Sequence, residues 1–374
     1  MRTSGDAVAA RTSPLAVLTG RRDGAVPDLP AGLLPGLRRM AEAIGRHSAE
    51  LGKRVVLDPD VVACERAVAA GLTRNGDISC GGACRLLATA DHWVGVNLPR
   101  PEDWQSTAAW LEIGAPIEEG RWDQVAAHVG GRTGDELVER AVLLGMAVAV
   151  VGERAAGDHG SPVPEGAAPG VAVRDVGPGD AVADARQLEV VDLSSLWAGP
   201  LAGSVLARAG ARVVKVESTT RPDAARAGPP SLFRSLNAGK GSVTLDFGSS
   251  SGRRELHDLV SRSDVVITSA RPRALEQLGL DPAASVGDGG PAVWLAVTGY
   301  GDEPGSADRV AFGDDAAAAG GLVVWDSAGP CFCADALADP ATGLAGAATV
   351  LDLLASGRRG VVTASMADVA GALV

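Results

Sequence analysis

Aromatic side chains are scarce: 3% of the 374 residues, namely seven Trp, four Phe and one Tyr. In a chain that is 46% hydrophobic, the core must then be built mostly from Ala, Val and Leu. Positive charge is also short, with 34 Lys and Arg against 46 Asp and Glu, a net charge of −12 and a pI of about 4.9. Nucleic-acid binding needs a basic face to displace counterions from phosphates, so that class is disfavoured, while a local basic patch for a small anion is not. Long hydrophobic runs are missing. The longest, around Ala141–Val151, is too short for a bilayer that takes about 20 residues, so no membrane span is expected. Met1–Gly20 has no sustained apolar run before a cleavage-like site, which points away from secretion.

Cysteine is limited to Cys64, Cys80, Cys84, Cys331 and Cys333. An odd number in a long chain without an export signal implies reduced thiols and a cytoplasmic setting. Cys80 and Cys84 beside His92, and Cys331 with Cys333, lack the spacing of a zinc knuckle and are expected to be small apolar thiols rather than metal ligands. No short period organises the 49 Gly and 22 Pro, which excludes collagen-like and solenoid architectures.

What is present suits two domains at about 150 residues each. Residues 1–30 lack periodicity and are expected to form a flexible leader, followed by a small α+β domain over 31–154. That domain would hold helices between Leu33 and Gly71, strands at Leu86-Leu87 and Trp93–Leu98, helices Trp104–Leu111, Trp122–Val129 and Gly134–Leu144, and a strand Ala147–Val151. Residues 155–186, broken by Gly and Pro, read as a linker. From 187 to 374 the rhythm becomes strand–helix alternation: Leu188–Leu193, Pro200–Ala209, Arg212–Glu217, Gly252–Ser261, Asp264–Thr268, Pro272–Leu278 and Ala292–Val297. A long helix from Pro340 to Ala355 follows, capped by Asp339 and stopped by Gly360. Short buried strands joined by helices imply an α/β fold with a doubly wound, Rossmann-like parallel sheet, the smaller α+β domain lying N-terminal to it.

Four segments could carry chemistry. The turn Ser194–Gly203 after the first large-domain strand is small enough to let a ligand approach the backbone beside a helix N-terminus, or simply to let helix and strand pack. Lys215, Glu217, Arg221, Asp223 and Arg226 follow the next strand and suit either a phosphate grip or a solvated loop. Lys240 sits in a glycine turn, as a phosphate ligand or a surface lysine. Asp339-Pro340 is ordinary helix-start chemistry, yet a carboxylate there is held ionised by the helix dipole and can act as a nucleophile. The five histidines have no Ser or Cys partner at a triad spacing.

Six segments in order, VVDLSSLWAGPLAG (190–203), GARVVKVES (210–218), NAGKGSVTLDF (237–247), SDVVITSARPRALEQLGL (263–280), VTGYG (297–301) and DALADPATGLAGAATVLDLL (335–354), resemble the large domain of the family III CoA-transferases, which also include α-methylacyl-CoA racemase. Gly81–Leu87 with Thr89–Val96 resembles the opening of that family's small domain, which usually comes second, so the chain looks circularly permuted. The resemblance implies an acyl-CoA:carboxylate CoA-transferase. Asp339 would be its nucleophile, passing through a mixed anhydride and an aspartyl-CoA thioester. Leu196, Trp197 and Ala198 would line the CoA channel, and Arg221, Arg226 and Lys240 would bind CoA phosphates. Leu245, Ser269, Ala270 and Arg271 would form the adenine and pantetheine wall, and Gly81 and Gly82 a mobile loop over the site. It further implies acyl-CoA and a carboxylic acid as partners, no tightly bound cofactor, no metal, and a homodimer.

The departures narrow the activity. Phe312 stands where the racemases carry a proton-transferring His, which moves the expectation to transfer. An isomerase would need another proton carrier, for which Asp314 and Asp315 are the nearby residues, and a non-catalytic acyl-CoA-binding protein is the remaining class. Trp197 replaces a polar amide of some transferases, and Ser218 replaces a basic CoA contact for which Arg221 could compensate.

Overall fold

A computed structural model describes residues 13–155, 168–180, 182–287 and 289–374. It begins with a short helix α1 (Pro14–Val17) and two longer ones, α2 (Leu33–Glu50) and α3 (Pro59–Ala70). Helix α3 shows why such segments are helical. Asp58 caps it by accepting the N–H of Asp60 at 3.0 Å, Pro59 preorganises its first turn, and Gly71 ends it at φ +63°.

Strands β1 (Cys84–Ala88) and β2 (Trp93–Asn97) form an antiparallel hairpin, followed by helices α4 (Pro101–Leu111), α5 (Trp122–Val129) and α6 (Gly134–Leu144) and strand β3 (Ala147–Val150). The three strands make one sheet, β1-β2-β3. Trp104, Trp110, Trp122, Val125 and Leu137 bury one face of it against Val94, Val96 and Val148. Three of the seven tryptophans pack in this core, and the buried indoles of Trp104 and Trp110 donate to the carbonyls of Leu98 (3.1 Å) and Leu137 (2.9 Å).

The rest of the chain runs β4 (Val171–Pro178), β5 (Glu189–Asp192), α7 (Ala198–Ala209), β6 (Arg212–Ser218), α8 (Pro230–Asn237), β7 (Gly241–Leu245), α9 (Ser250–Ser261), β8 (Val265–Thr268), α10 (Pro272–Leu278), α11 (Pro282–Gly287) and β9 (Val293–Thr298). It continues through α12 (Gly313–Ala319), the hairpin β10 (Val323–Asp326) and β11 (Gly329–Phe332), α13 (Ala338–Ser356), β12 (Arg358–Ser365) and α14 (Met366–Gly371). Seven strands form the large sheet in the order β4-β12-β9-β8-β5-β6-β7, parallel except for β4 on β12. The chain winds outward from β5 to β7, then resumes on the other side of β5 at β8. This doubly wound order puts its switch point between the carboxyl ends of β5 and β8, where ligands of such sheets bind. Val190, Val191, Val265, Val266 and Ile267 are buried, as expected for strands covered on both faces.

Four expectations are corrected. Residues 13–30 are not a loose leader: Leu15, Ala16 and Leu29 lie in the core, while residues 1–12 fall outside the described residues. Helices α2 and α3 pack with α13 into the core of the large sheet rather than with the three-stranded sheet, because their apolar stripes (Leu33, Leu37, Met40, Ile44; Ala63, Cys64) need a large apolar partner and α13 is buried almost all round. The stretch read as a linker contains β4, whose ladder to β12 meets its backbone hydrogen bonds, while residues 156–167 and 181 are outside the described residues. Helix α13 stops at Gly357, which takes φ +66°, and Gly360 lies inside β12.

Candidate active site

Strand β5 delivers Asp192, fully buried, to the switch point. Its Oδ1 accepts the N–H of Ser194 at 3.0 Å, and its Oδ2 accepts Lys240 Nζ at 2.8 Å. Burial pushes the Asp192 pKa up, but Lys240 and Lys215 outweigh it and hold the carboxyl below its usual range. Asp223, also buried, accepts Lys215 Nζ on Oδ2 at 2.8 Å and the N–H of Leu196 on Oδ1 at 2.9 Å. Ser269, just beyond β8, accepts the N–H of Ser195 at 2.9 Å. These bonds hold Leu196 at φ +70°, a conformation that costs a non-glycine residue roughly 1–3 kcal/mol.

The turn then enters α7 at Ala198, whose backbone N–H faces the carboxylate of Asp339 and opposes the rise of its pKa. Asp339 is the second residue of α13 and not its cap, as had been expected; Leu337 occupies the N-cap without a side-chain bond. Two helix N-termini therefore meet at one carboxylate. Their approach depends on glycine: a Cβ at Gly343 would lie 2.6 Å from the Ala198 carbonyl oxygen, and one at Gly313 would lie 2.3 Å from Asp339 Oδ2. Ala334 and Ala336, at φ +57° and +45°, shape the approach to α13. Together with Leu196 they are three of the four non-glycine residues with positive φ among the described residues, so backbone strain is concentrated at this site.

Asp339 is partly exposed, and Asp314 and Asp335 are buried beside it. Asp314 Oδ1 accepts the N–H of Ala336 at 2.9 Å. Arg66 of α3 bonds Asp335 through Nε (2.9 Å) and Nη2 (2.6 Å), and its Nη2 lies 3.9 Å from Asp314 Oδ2. Burial raises Asp339 to about 7, with Arg66 opposing the rise and Asp314 and Asp335 adding to it. Burial likewise pushes Asp314 up. A carboxylate poised near neutrality and partly open to solvent can serve as a nucleophile or a proton carrier.

The structure brings Leu196, Trp197, Ala198, Ser269 and Asp339 together. Trp197 is 3% exposed, so its indole packs in the core instead of facing a channel. Lys240, expected to bind phosphate, is corrected: its ammonium is enclosed by Asp192, the Pro200 carbonyl (2.8 Å) and Asn237 Oδ1 (3.2 Å), where it braces the turn from beneath. Arg226 is exposed and paired with Glu217 at 3.0 Å, which in turn accepts the N–H of Asp223, while Arg221 is exposed beside them. Leu245 is buried at the end of β7, Ala270 is half-buried, and Arg271 is exposed at the start of α10. Gly81 and Gly82 are exposed, and a Cβ at Gly81 would stand 3.4 Å from Arg66 Nη2. Sequence reading missed Arg66, Asp335 and Gly313. The only available signal was a lone arginine on the otherwise apolar face of the Val62, Ala63, Ala67 helix.

The chain is 31% identical over 175 residues to an acyl-CoA transferase of Fusarium pseudograminearum, covering 42% of this chain and 38% of that one. It is 31% identical over 136 residues to the cinnamoyl-CoA:phenyllactate CoA-transferase of Clostridium sporogenes, covering 33% of each. The crystal structure of Rv3272 from Mycobacterium tuberculosis superposes with a TM-score of 0.45 and 31% identity, over 53% of this chain and 55% of that one. The chain thus spans about a third of the length of the curated relatives it matches. Residues 186–374, which carry the large sheet from β5 onward together with Asp339, match the sequence profile of CoA-transferase family III, and the chain belongs to that family.

Proposed function

We propose that the chain moves coenzyme A between carboxylic acids, with Asp339 as the nucleophile. The observation that carries this reading is the setting of Asp339: a partly exposed carboxylate in the first turn of α13, where that helix closely approaches the start of α7 beside the switch point of the parallel sheet. In the first half-reaction a carboxylate oxygen of Asp339 attacks the acyl-CoA thioester carbonyl. The C–S bond breaks, giving a mixed anhydride and the CoA thiolate. The thiolate then attacks the aspartyl carbonyl, releasing the donor acid and leaving an Asp339–CoA thioester. In the second half-reaction an acceptor carboxylate attacks that thioester, forming a new anhydride, and the thiolate takes the acceptor acyl group and restores the Asp339 carboxylate. No proton is gained or lost overall. The Ala198 N–H supports this chemistry by stabilising negative charge on the aspartyl oxygen.

Leu196, Ala198, Ser269 and Arg271 at the strand ends, with exposed Arg221 and Arg226, form the proposed CoA-binding side, and Gly81-Gly82 the opposite rim. The proposal includes a homodimer and a cytoplasmic setting. It also divides the chain near residues 155–186, with α1–α3 assigned by packing to the large unit. Incubation with acyl-CoAs followed by hydroxylamine trapping and peptide mapping tests it: the expected product is a hydroxamate at Asp339. Exchange of the acyl α-proton into deuterated water without an adduct would replace transfer by isomerisation, with Asp339 and Asp314 as the proton carriers.

A further inference from the structure

Arg66 reaches the site from α3, which lies outside the 186–374 segment shared with the family. Its guanidinium is used unevenly. Nε and Nη2 are fixed on Asp335, a fully buried carboxylate that sets the plane and rotation of the group. Nη1 makes no hydrogen bond among the described residues, and the side chain remains 29% exposed. The rim beside that edge is Gly81-Gly82, exposed and without side chains: a Cβ at Gly81 would stand 3.5 Å from Nη1. An oriented, unused donor thus lies beneath an exposed rim, on a guanidinium whose Nη2 is 3.9 Å from Asp314 Oδ2 and which opposes the rise of the Asp339 pKa.

The acceptor half-reaction has a particular electrostatic requirement. A free carboxylate must enter a region that already holds Asp314, Asp335 and Asp339, and like charges repel it. Arg66 is the cation whose guanidinium reaches Asp314 and Asp335, and it opposes the rise of the Asp339 pKa. We propose that the free edge of Arg66, beneath Gly81-Gly82, is the binding site for the acceptor's carboxylate, held there for attack on the Asp339 thioester. The ligand class is an organic carboxylate whose acid group docks against Nη1, so that one oxygen meets the aspartyl carbonyl as the C–S bond to CoA breaks. Asp335 is the positioning residue that keeps Nη1 turned outward.

This inference rests on the CoA-transfer reading, and the two half-reactions separate its failure from the failure of that reading. The full chain is charged with an acyl-CoA in the absence of acceptor. Formation of the Asp339 adduct and its discharge by acetate, propionate or succinate are then followed separately. Gly81→Ala adds a methyl 3.5 Å from Nη1 and 3.4 Å from Nη2, narrowing access to the guanidinium, at a glycine whose φ is not left-handed. It should raise the acceptor concentration for half-maximal discharge about tenfold, and Arg66→Lys at least as much, because a planar oriented donor is lost. In each folded variant the acceptor dependence should change more than adduct formation does, so the ratio of the two half-reactions is the readout. Should Arg66→Lys fail to fold, with three carboxylates left poorly compensated, Gly81→Ala and the paired variant Arg66→Gln/Asp335→Asn decide the question. Unchanged acceptor dependence in the folded variants, or an equal loss in both half-reactions, overturns the assignment. Absence of any adduct in the unaltered protein overturns the transfer reading itself, and the acceptor site with it.

Discussion

Arg66 grips Asp335 through two nitrogens across 269 positions of sequence, which ties helix α3 to the entry of the long helix α13. The same guanidinium opposes the upward shift of Asp339, so a residue outside the shared family segment helps set the charge of the proposed nucleophile.

Asp339→Asn removes the nucleophile while preserving shape and an oxygen facing the Ala198 N–H. Transfer should fall by at least about a thousandfold, with CoA binding retained. Stability should not fall at pH 8, because the wild-type carboxyl is then an ionised group in a site that favours its neutral form. Coupled activity assays, CoA titration and urea unfolding of the same preparation check all three.

The pH dependence has a definite sign. Asp339 is raised to about 7 by burial, with Arg66 of α3, Asp314 of α12, Asp335 before α13 and the Ala198 N–H of α7 facing it. Only the ionised form attacks, so adduct formation should fall about tenfold per pH unit below 7 and level off above about pH 8. Single-turnover rates from pH 5 to pH 9 provide the test.

The parallel sheet was legible because its strands are short, apolar and regularly separated by helices, and Asp339 was singled out because it stands in a family motif. Two kinds of feature were not. Strand β4 is largely exposed and lacks an apolar run, and its identity comes from the partner strand β12. Arg66 sits on α3, and nothing local to residues 59–70 indicates that Asp335 will lie beside it. Lys240 was misread for a related reason. A lysine in a glycine turn looks exposed until the chain places Asp192 and the Pro200 carbonyl around its ammonium.

Lys240→Met should therefore act on stability before ligand affinity. It leaves Asp192 ionised, buried and short of a partner, a loss of about 3–5 kcal/mol. Replacing both residues, as Lys240→Met/Asp192→Asn, should recover most of that. Chemical denaturation of the single and double variants distinguishes this from a phosphate-binding lysine, whose loss would weaken CoA binding and leave stability unchanged.

Asp315 gives an independent stability prediction. Burial raises it to about 7; Asn97 Nδ2 (2.7 Å) and the Phe312 N–H (3.0 Å) both bond its Oδ1, and Oδ2 has no partner among the described residues. The folded state holds a proton that the unfolded chain releases near pH 4, so stability falls as pH rises from 4 to 7. Asp315→Asn keeps an acceptor for both bonds and removes the charge. Its advantage over the wild type should be small at pH 4 and reach about 1–3 kcal/mol at pH 8, read from urea midpoints across that range.

The central claim is that Asp339 carries coenzyme A covalently. Intact-protein mass spectrometry after incubation with a panel of acyl-CoAs, followed by hydroxylamine and peptide mapping, tests it most directly. The account predicts a CoA-sized mass increase that hydroxylamine converts to a hydroxamate at Asp339, absent in Asp339→Asn. Binding of acyl-CoAs with no adduct across the panel, or an adduct mapped to another residue, would contradict it.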